Sequence, residues 1–316
     1  MQHPNANTNL PLVTFLSPCY NHEKYVIQSL ETVKNQTYSN VHHIIIDDAS
    51  TDNSVFLIEN WIKENNYQCT FIKHLHNKGI SSALNESINL ATGTYWTCVA
   101  TDDYLHPERT EKFVAYLTEN PDMGMVASDM QIVNDSGKEI LINNTSGFLQ
   151  NRTSYHPNFT SQQFGSYDSL LFDNYMPGSI MVKTSVFKNI GLYNENLQME
   201  DWDMWLRISA KYKIGFINEP LAYYRKHTHN SINFYPQKMR RSMFETFLNQ
   251  KQFCYSNNKK EIFERAYIHH FCNYYDPVRH FSTSIIFHRI HFFIYIKAVI
   301  NKIKRMSKKI FSKKKP

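Results

Sequence analysis

Apolar and polar positions alternate in blocks along the first 135 residues. "LVTFL" (12–16) has the β-branched and aromatic make-up of a buried strand, and residues 23–35 then place Val26, Leu30 and Val33 at helical spacing. "HHIIID" (42–47) predicts a second strand. Ser50 and Asp52 suit the start of a helix in which Phe56, Leu57, Trp61 and Ile62 recur. "TFIKHL" (70–75) and residues 81–91 repeat the strand–helix pair, and "TYWTCVA" (94–100) with residues 107–118 repeat it again, Pro107 suiting a first helical turn. "MGMVASDMQIV" (123–133) is a further strand that ends in the turn sequence "NDSGK". This alternation predicts a mostly parallel sheet with helices on both faces. From about 140 to 175 the pattern lapses into Asn, Ser and Thr, which reads as loops over a site or an insertion. Helical spacing returns at 200–211 and 240–275.

The last stretch differs in kind. Phe292, Ile296, Val299, Ile303, Met306 and Ile310 recur at spacings of three and four, with lysines between them. His288, Arg289, His291 and Lys297 interrupt the greasy run 285–300, so it falls short of the 20 or so apolar residues that a spanning helix needs. A basic amphipathic helix lying on an anionic membrane surface fits this pattern; a helix packed on the domain, or a seam between subunits, fits the spacing too.

Charge sharpens the contrast. The 316-residue chain carries a formal +6, but Lys297–Pro316 holds nine Lys or Arg and no acid, so the rest of the chain stands at −3. A body of that sign is not built to bind nucleic acid. Hydrophobic residues make up 42% and charged residues 20%, enough for a packed core. The five cysteines (19, 69, 98, 254, 272) are odd in number and contain no CxxC, which points away from a zinc site or disulfide framework and toward a reducing compartment. The N-terminal "MQHPNANTNLP" has neither a basic nor an apolar signal region.

Two acidic pairs fall where predicted strands end: Asp47–Asp48 and Asp102–Asp103. In an open parallel sheet, ligands bind at the carboxyl ends of the strands. One Asp at such a place caps the next helix as readily as it binds anything, but adjacent carboxylates repel unless something positive lies beside them. A divalent cation with oxygen ligands, Mg2+ or Mn2+, would serve. The nine glycines (79, 93, 124, 137, 147, 165, 178, 191, 215) form neither GxGxxG nor GxxxxGK[ST], so no backbone cradle for phosphate is present. Their absence also argues against a sugar-phosphate nucleotidylyltransferase, which needs a glycine-rich N-terminal loop.

"LSPCYNHEKYVIQSLETVKNQTYSNVHHIIIDDASTDNS" resembles the opening of the family 2 glycosyltransferases, in Pro18, Tyr20, Asn21, Gln36, Thr37, Asp47, Asp48, Ser50 and Asp52. "NKGISSALNESINLATGTYWTCVATDDYLHP" continues it with Asn77, Gly79, Ala83, Asn85, Ala91, Gly93 and Tyr95. "PGSIMVKTSVFKNIGLYNENLQMEDWDMWLRI" is similar to a later block, with Gly191 and Glu200–Asp201, and "YYRKHTHNS" (223–231) to a closing motif. The resemblance spans roughly 12–231.

The resemblance implies a GT-A fold, an α/β Rossmann-like architecture, over residues 1–235. Its nucleotide-binding half would run from about 10 to 135 and its acceptor half from about 136 to 235, with a helical C-terminal region over 236–316. It implies an inverting, metal-dependent transferase that moves a sugar from a nucleotide sugar, UDP-linked, to a hydroxyl of a glycan or lipid-linked glycan. The setting would be bacterial surface polysaccharide, capsule or lipooligosaccharide, made at the inner face of the cytoplasmic membrane. Pro18, Tyr20 and Asn21 would line the nucleotide pocket, Asp48 would accept from the base, Lys78 would assist electrostatically, and Asp102 would contact ribose or the metal shell. Asp103 would ligate Mn2+ or Mg2+, with His227 as a further candidate near the diphosphate, and Asp201 would be the base. Ala100 stands where many members carry the first acid of D-x-D-D. That departure is the one feature that favours an inactive carbohydrate-binding or scaffolding module. His229, two residues from His227, could share a metal on a strand. Trp202 and Trp205 read as core residues or as a platform for an acceptor sugar, and Asp203 as the helix partner of Arg207.

Overall fold

The computed structural model describes residues 10–143, 149–153, 164–228, 230 and 236–274, with Ile296, Ile300 and Ile303 in the tail. The chain forms two compact units that interleave in sequence. The first draws on Met1–Ser166, Tyr175–Glu195 and Met204–Thr228, and the second on Tyr167–Asn174, Asn196–Asp203 and His229–Pro316.

The first unit is built on a sheet whose central strand, β1 (Val13–Cys19), is buried at every position. It is followed by α1 (Val26–Lys34), β2 (Val41–Asp47), α2 (Ser54–Glu64), β3 (Thr70–Lys73), α3 (Ile80–Asn89), β4 (Tyr95–Cys98), β5 (Tyr104–Leu105), α4 (Arg109–Glu119) and β6 (Met123–Val133). A small hairpin, β7 (Ile142–Asn143) with β8 (Leu149–Gln150), stands apart from the sheet. After the short α5 (Tyr167–Leu170) come β9 (Ile180–Lys183), α6 (Thr184–Ile190), α7 (Glu200–Ser209) and β10 (Lys213–Arg225). The strand order is β3-β2-β1-β4-β9-β6-β10-β5. β9 and β5 run against the others, so the sheet is mostly parallel, as the alternation predicts.

Both faces are covered, which is why the strands read as continuous apolar runs. On one face Cys19 and Ile45 meet Val26 and Leu30 of α1 and Ile58 and Trp61 of α2. Val13, Tyr95 and Val126 meet Phe113, Val114 and Leu117 of α4 on the same side. On the other face the fully buried Trp96 stands edge-on to Phe187 of α6, ring centroids 5.5 Å apart, and donates its indole N–H to Ser87 Oγ of α3 at 3.0 Å. Gly93 has to be glycine: a Cβ there would lie 2.5 Å from the Leu12 carbonyl oxygen.

The second unit is helical and aromatic. In α8 (Pro236–Asn249), α9 (Lys251–Ser256) and α10 (Lys260–Tyr274), Phe247 stacks on Phe263 at 4.7 Å and meets His270, tilted by 40°, at 4.6 Å. Trp202, fully buried, packs on His270 and donates to the Leu170 carbonyl at 2.8 Å. Trp202 is therefore core, as is Trp205, 4% exposed in the first unit; neither is a sugar platform. His229 lies outside the described residues, as do Phe292, Val299, Met306 and Ile310 of the tail.

Candidate active site

Six strands deliver their carboxyl ends to one side of the sheet, and the loops after β1, β2 and β4 meet there. The first two are laced together. Asn21 donates its N–H to Ser50 Oγ (2.8 Å) and accepts the Thr51 N–H on Oδ1 (2.8 Å). Glu23 N–H reaches Asp52 Oδ2 (3.0 Å), and Glu23 Oε2 accepts from both nitrogens of Asn53. Asn21 is left-handed (φ 57°), a conformation Asn tolerates. Tyr20 beside it stays exposed, while Pro18 is buried in β1 and accepts the Thr101 N–H on its carbonyl at 3.1 Å.

The first acidic pair divides its labour. Asp47 folds its own turn: its two oxygens accept the Ser50 N–H (2.9 Å) and Ser50 Oγ (2.6 Å). Asp48 reaches across to the loop before α3 and accepts the N–H of Lys78 on Oδ1 and of Gly79 on Oδ2, both at 2.8 Å. Gly79 takes a positive φ of 85° to present that N–H. His74 Nδ1 lies 2.7 Å from the same Oδ1. The Lys78 side chain is on an exposed residue, and what it brings to Asp48 is its backbone.

The second pair is more crowded. Asp102 Oδ2 lies 3.2 Å from His227 Nε2 and 3.8 Å from His22 Nε2, and His22 Nδ1 is 2.8 Å from Thr101 Oγ1. Burial raises the Asp102 carboxyl, but the hydrogen bond from His227 and the charges of His22 and His227 outweigh it and hold the group below its ordinary value. Asp103 goes the other way: burial first, then the charge of Asp102, push it well above the usual range, and the Arg225 N–H on Oδ1 (2.8 Å) only partly compensates. Arg225, 2% exposed, pins the whole loop. Its Nε donates to the Asp102 carbonyl (2.9 Å), Nη1 to Asp135 O (2.7 Å) and Nη2 to Gln28 Oε1 (2.6 Å), and the guanidinium lies over Tyr25 and Tyr104.

The sequence that builds these loops matches a known family. A model of the family described as Glycosyl transferase family 2 matches residues 14–191, more than half of the chain. The chain belongs to glycosyl transferase family 2. An uncharacterised glycosyltransferase of Methanocaldococcus jannaschii is 25% identical over 254 residues, 77% of this chain and 82% of that protein. One from Haemophilus influenzae is 25% identical over 253 residues, 77% and 76% respectively. Among solved structures, S. aureus TarS 1–349 in complex with UDP-GlcNAc superposes with a TM-score of 0.63 at 16% identity, over 93% of this chain and 81% of that one. The mannosyltransferase PcManGT from Pyrobaculum calidifontis, in complex with GDP-Man and Mn2+, superposes with a TM-score of 0.57 at 13% identity, over 94% and 88%. Both likenesses support the GT-A fold. The protein is thus a glycosyltransferase, with an α/β GT-A fold and helices toward its C-terminus.

Asp201 of this glycosyltransferase sits in the second unit, in the first turn of α7. Asn174 Nδ2 donates to both of its oxygens, at 3.1 and 3.2 Å. Burial raises the Asp201 carboxyl above 3.8, and Asn174 and the Trp202 N–H offset part of that. Glu200 beside it is pushed up to about 8, by burial and then by the charge of Asp201. The two carboxyls are neighbours, and each raises the cost of ionising the other.

Among the described residues no group of three or more His, Cys, Asp or Glu is arranged to hold a metal ion. Asp102 and Asp103 are nevertheless oxygen donors of the kind that Mn2+ or Mg2+ takes, and the cost of ionising Asp103 beside Asp102 is one that a cation would relieve. A donor's phosphate oxygens would have to complete such a shell.

Four contributors escaped the sequence reading. His22 and Arg225 lie within stretches quoted for other residues. His74 reads as the end of a strand, and Asn174 falls in the irregular segment. Each is a lone polar residue whose partners are set by tertiary contact, so periodicity carries no trace of it.

Proposed function

We propose that this glycosyltransferase is inverting and uses a divalent metal to move a sugar from a UDP-linked donor to a hydroxyl of a glycan or lipid-linked glycan, in the synthesis of a bacterial surface polysaccharide such as capsule or lipooligosaccharide. The observation that carries the reading is the half-buried Asp102–Asp103 pair at the carboxyl end of the sheet, bounded by His227 and tied down by Arg225. Pro18, Tyr20 and Asn21 line the nucleotide pocket, Asp48 takes the base, and Lys78 lends positive charge. Asp102 contacts the ribose or the metal shell. Asp103, with His227, would hold Mn2+ or Mg2+, which when bound neutralises charge on a leaving nucleoside diphosphate. Asp201 accepts the proton of the attacking hydroxyl, and attack opposite the leaving group inverts the anomeric centre. TarS, solved with UDP-GlcNAc, supports a nucleotide-sugar donor, and PcManGT, solved with Mn2+, a metal. A screen of UDP-, GDP- and dTDP-sugars that detects released nucleotide is expected to show turnover with a UDP-sugar in Mn2+ and its loss in EDTA. Equal turnover in both would remove the metal from the reading.

The tail belongs to the same proposal. Among the described residues no helix is long and apolar enough to cross a membrane. Ile296, Ile300 and Ile303 are helical, four and three residues apart, and 39%, 46% and 60% exposed. Exposed isoleucines at that spacing, within a segment of nine uncompensated cations, suit an anionic lipid surface, toward which each Lys or Arg contributes about 1 kcal/mol. Co-sedimentation with vesicles rich in anionic lipid is expected for the full chain, with release by salt and loss on deleting 297–316. Equal binding to neutral vesicles would count against it.

A further inference from the structure

His74 is 8% exposed and stands between two carboxylates. Its Nδ1 is 2.7 Å from Asp48 Oδ1 and its Nε2 is 2.8 Å from Glu86 Oε2 of α3. A carboxylate only accepts hydrogen bonds, so a proton on Nδ1 is donated to Asp48. Nothing in the reaction requires this ring. Its effect is on Asp48.

A carboxylate has about four acceptor positions. On Asp48, His74 and the Lys78 N–H take both positions of Oδ1, and the Gly79 N–H takes one of Oδ2. One position remains for a ligand. Uracil presents a single N–H on its pairing edge, flanked by two carbonyls, and needs one acceptor. Guanine presents N1–H and an exocyclic N–H side by side and needs both oxygens of a carboxylate. We propose that the Asp48–His74–Glu86 chain is a specificity device: by occupying Oδ1 it leaves Asp48 able to satisfy uracil and unable to satisfy guanine. His74 touches no substrate and acts through Asp48, so it is a positioning residue. The inference rests on the reading that Asp48 takes the base.

Calorimetric titration of UDP and of GDP, each with Mn2+, into the full chain tests it. Wild type is expected to bind UDP at least about tenfold more tightly than GDP, the scale of one charged hydrogen bond made or missed. His74→Leu, which has no donor, should lose about tenfold in UDP affinity and lose most of the preference over GDP, because Oδ1 is released. Glu86→Gln, at a more exposed site, should move both quantities the same way by about threefold, and it carries the test if His74→Leu does not fold. A purely structural role predicts a lower melting temperature with both nucleotides weakened alike. That outcome, or an unchanged ratio in a folded variant, overturns the inference. Wild type that prefers GDP overturns the inference while leaving sugar transfer intact; wild type that binds neither nucleotide removes the reading of Asp48 as well.

Discussion

Replacing Asp201 with Asn is expected to lower the turnover number for sugar transfer about a thousandfold, within the range that positioned general bases contribute, while UDP binding stays as in wild type. The substitution keeps shape and removes basicity. Asn174, which donates to both Asp201 oxygens, would then face an amide rather than a carboxylate, so some local repacking is included in the effect. The pH profile separates chemistry from packing. Asp201 must be ionised to accept a proton, and burial raises its pKa above 3.8. Wild-type kcat/KM should therefore rise with pH along a limb displaced upward from the ordinary Asp value, and that limb should be absent in the residual activity of the variant. Burial and the charge of Asp201 push Glu200 up to about 8, so a limb near that value that survives in the variant would belong to Glu200. A variant that retains both turnover and limb would strike Asp201 from the mechanism.

The sequence showed most where structure is locally encoded. β1, β2, β3, β4 and β6 and the helices between them appear as apolar runs and helical spacings because each is covered by its own neighbours in sequence. β9 and β10 do not. β9 has four residues and exists because β4 and β6 hold it from both sides in antiparallel register. β10 is interrupted by Asn218, Glu219 and Pro220, where its pairing with β6 changes register, so its alternation breaks where a reader would seek it. The site divides in the same way. Paired acids at strand ends are visible as repulsion that needs an explanation, whereas the residues that manage the repulsion are not. Arg225 reaches Gln28 across 197 positions and the Asp102 carbonyl across 123, and no local pattern records such a contact. The alanine in place of an acid at position 100 is compatible with this arrangement, since the hydrogen bonds that fix Asp102 and Asp103 come from His227 and Arg225.

Asp103→Asn is expected to have opposite effects on activity and stability. Activity should fall at least a hundredfold, because a neutral amide is a poor ligand for a hard divalent cation and the leaving diphosphate loses its charge partner. Stability of the metal-free protein should rise. The sign follows from the shift: the folded pKa of Asp103 lies above its unfolded value, so the folded state binds the proton more tightly, and stability is lost as pH rises from the unfolded pKa through the folded one. Each unit of that elevation costs about 1.4 kcal/mol once the group ionises. Asn carries no charge to desolvate and none to repel Asp102, so thermal melts in EDTA should show a higher midpoint for the variant at pH 7 and a smaller gain near pH 4. Saturating Mn2+ should raise the wild-type midpoint and leave the variant's nearly unmoved, since only the charged form gains from the ion. Were the variant less stable than wild type in EDTA across that range, the carboxylate would be a structural acceptor for the Arg225 N–H rather than a strained group held in reserve for a cation.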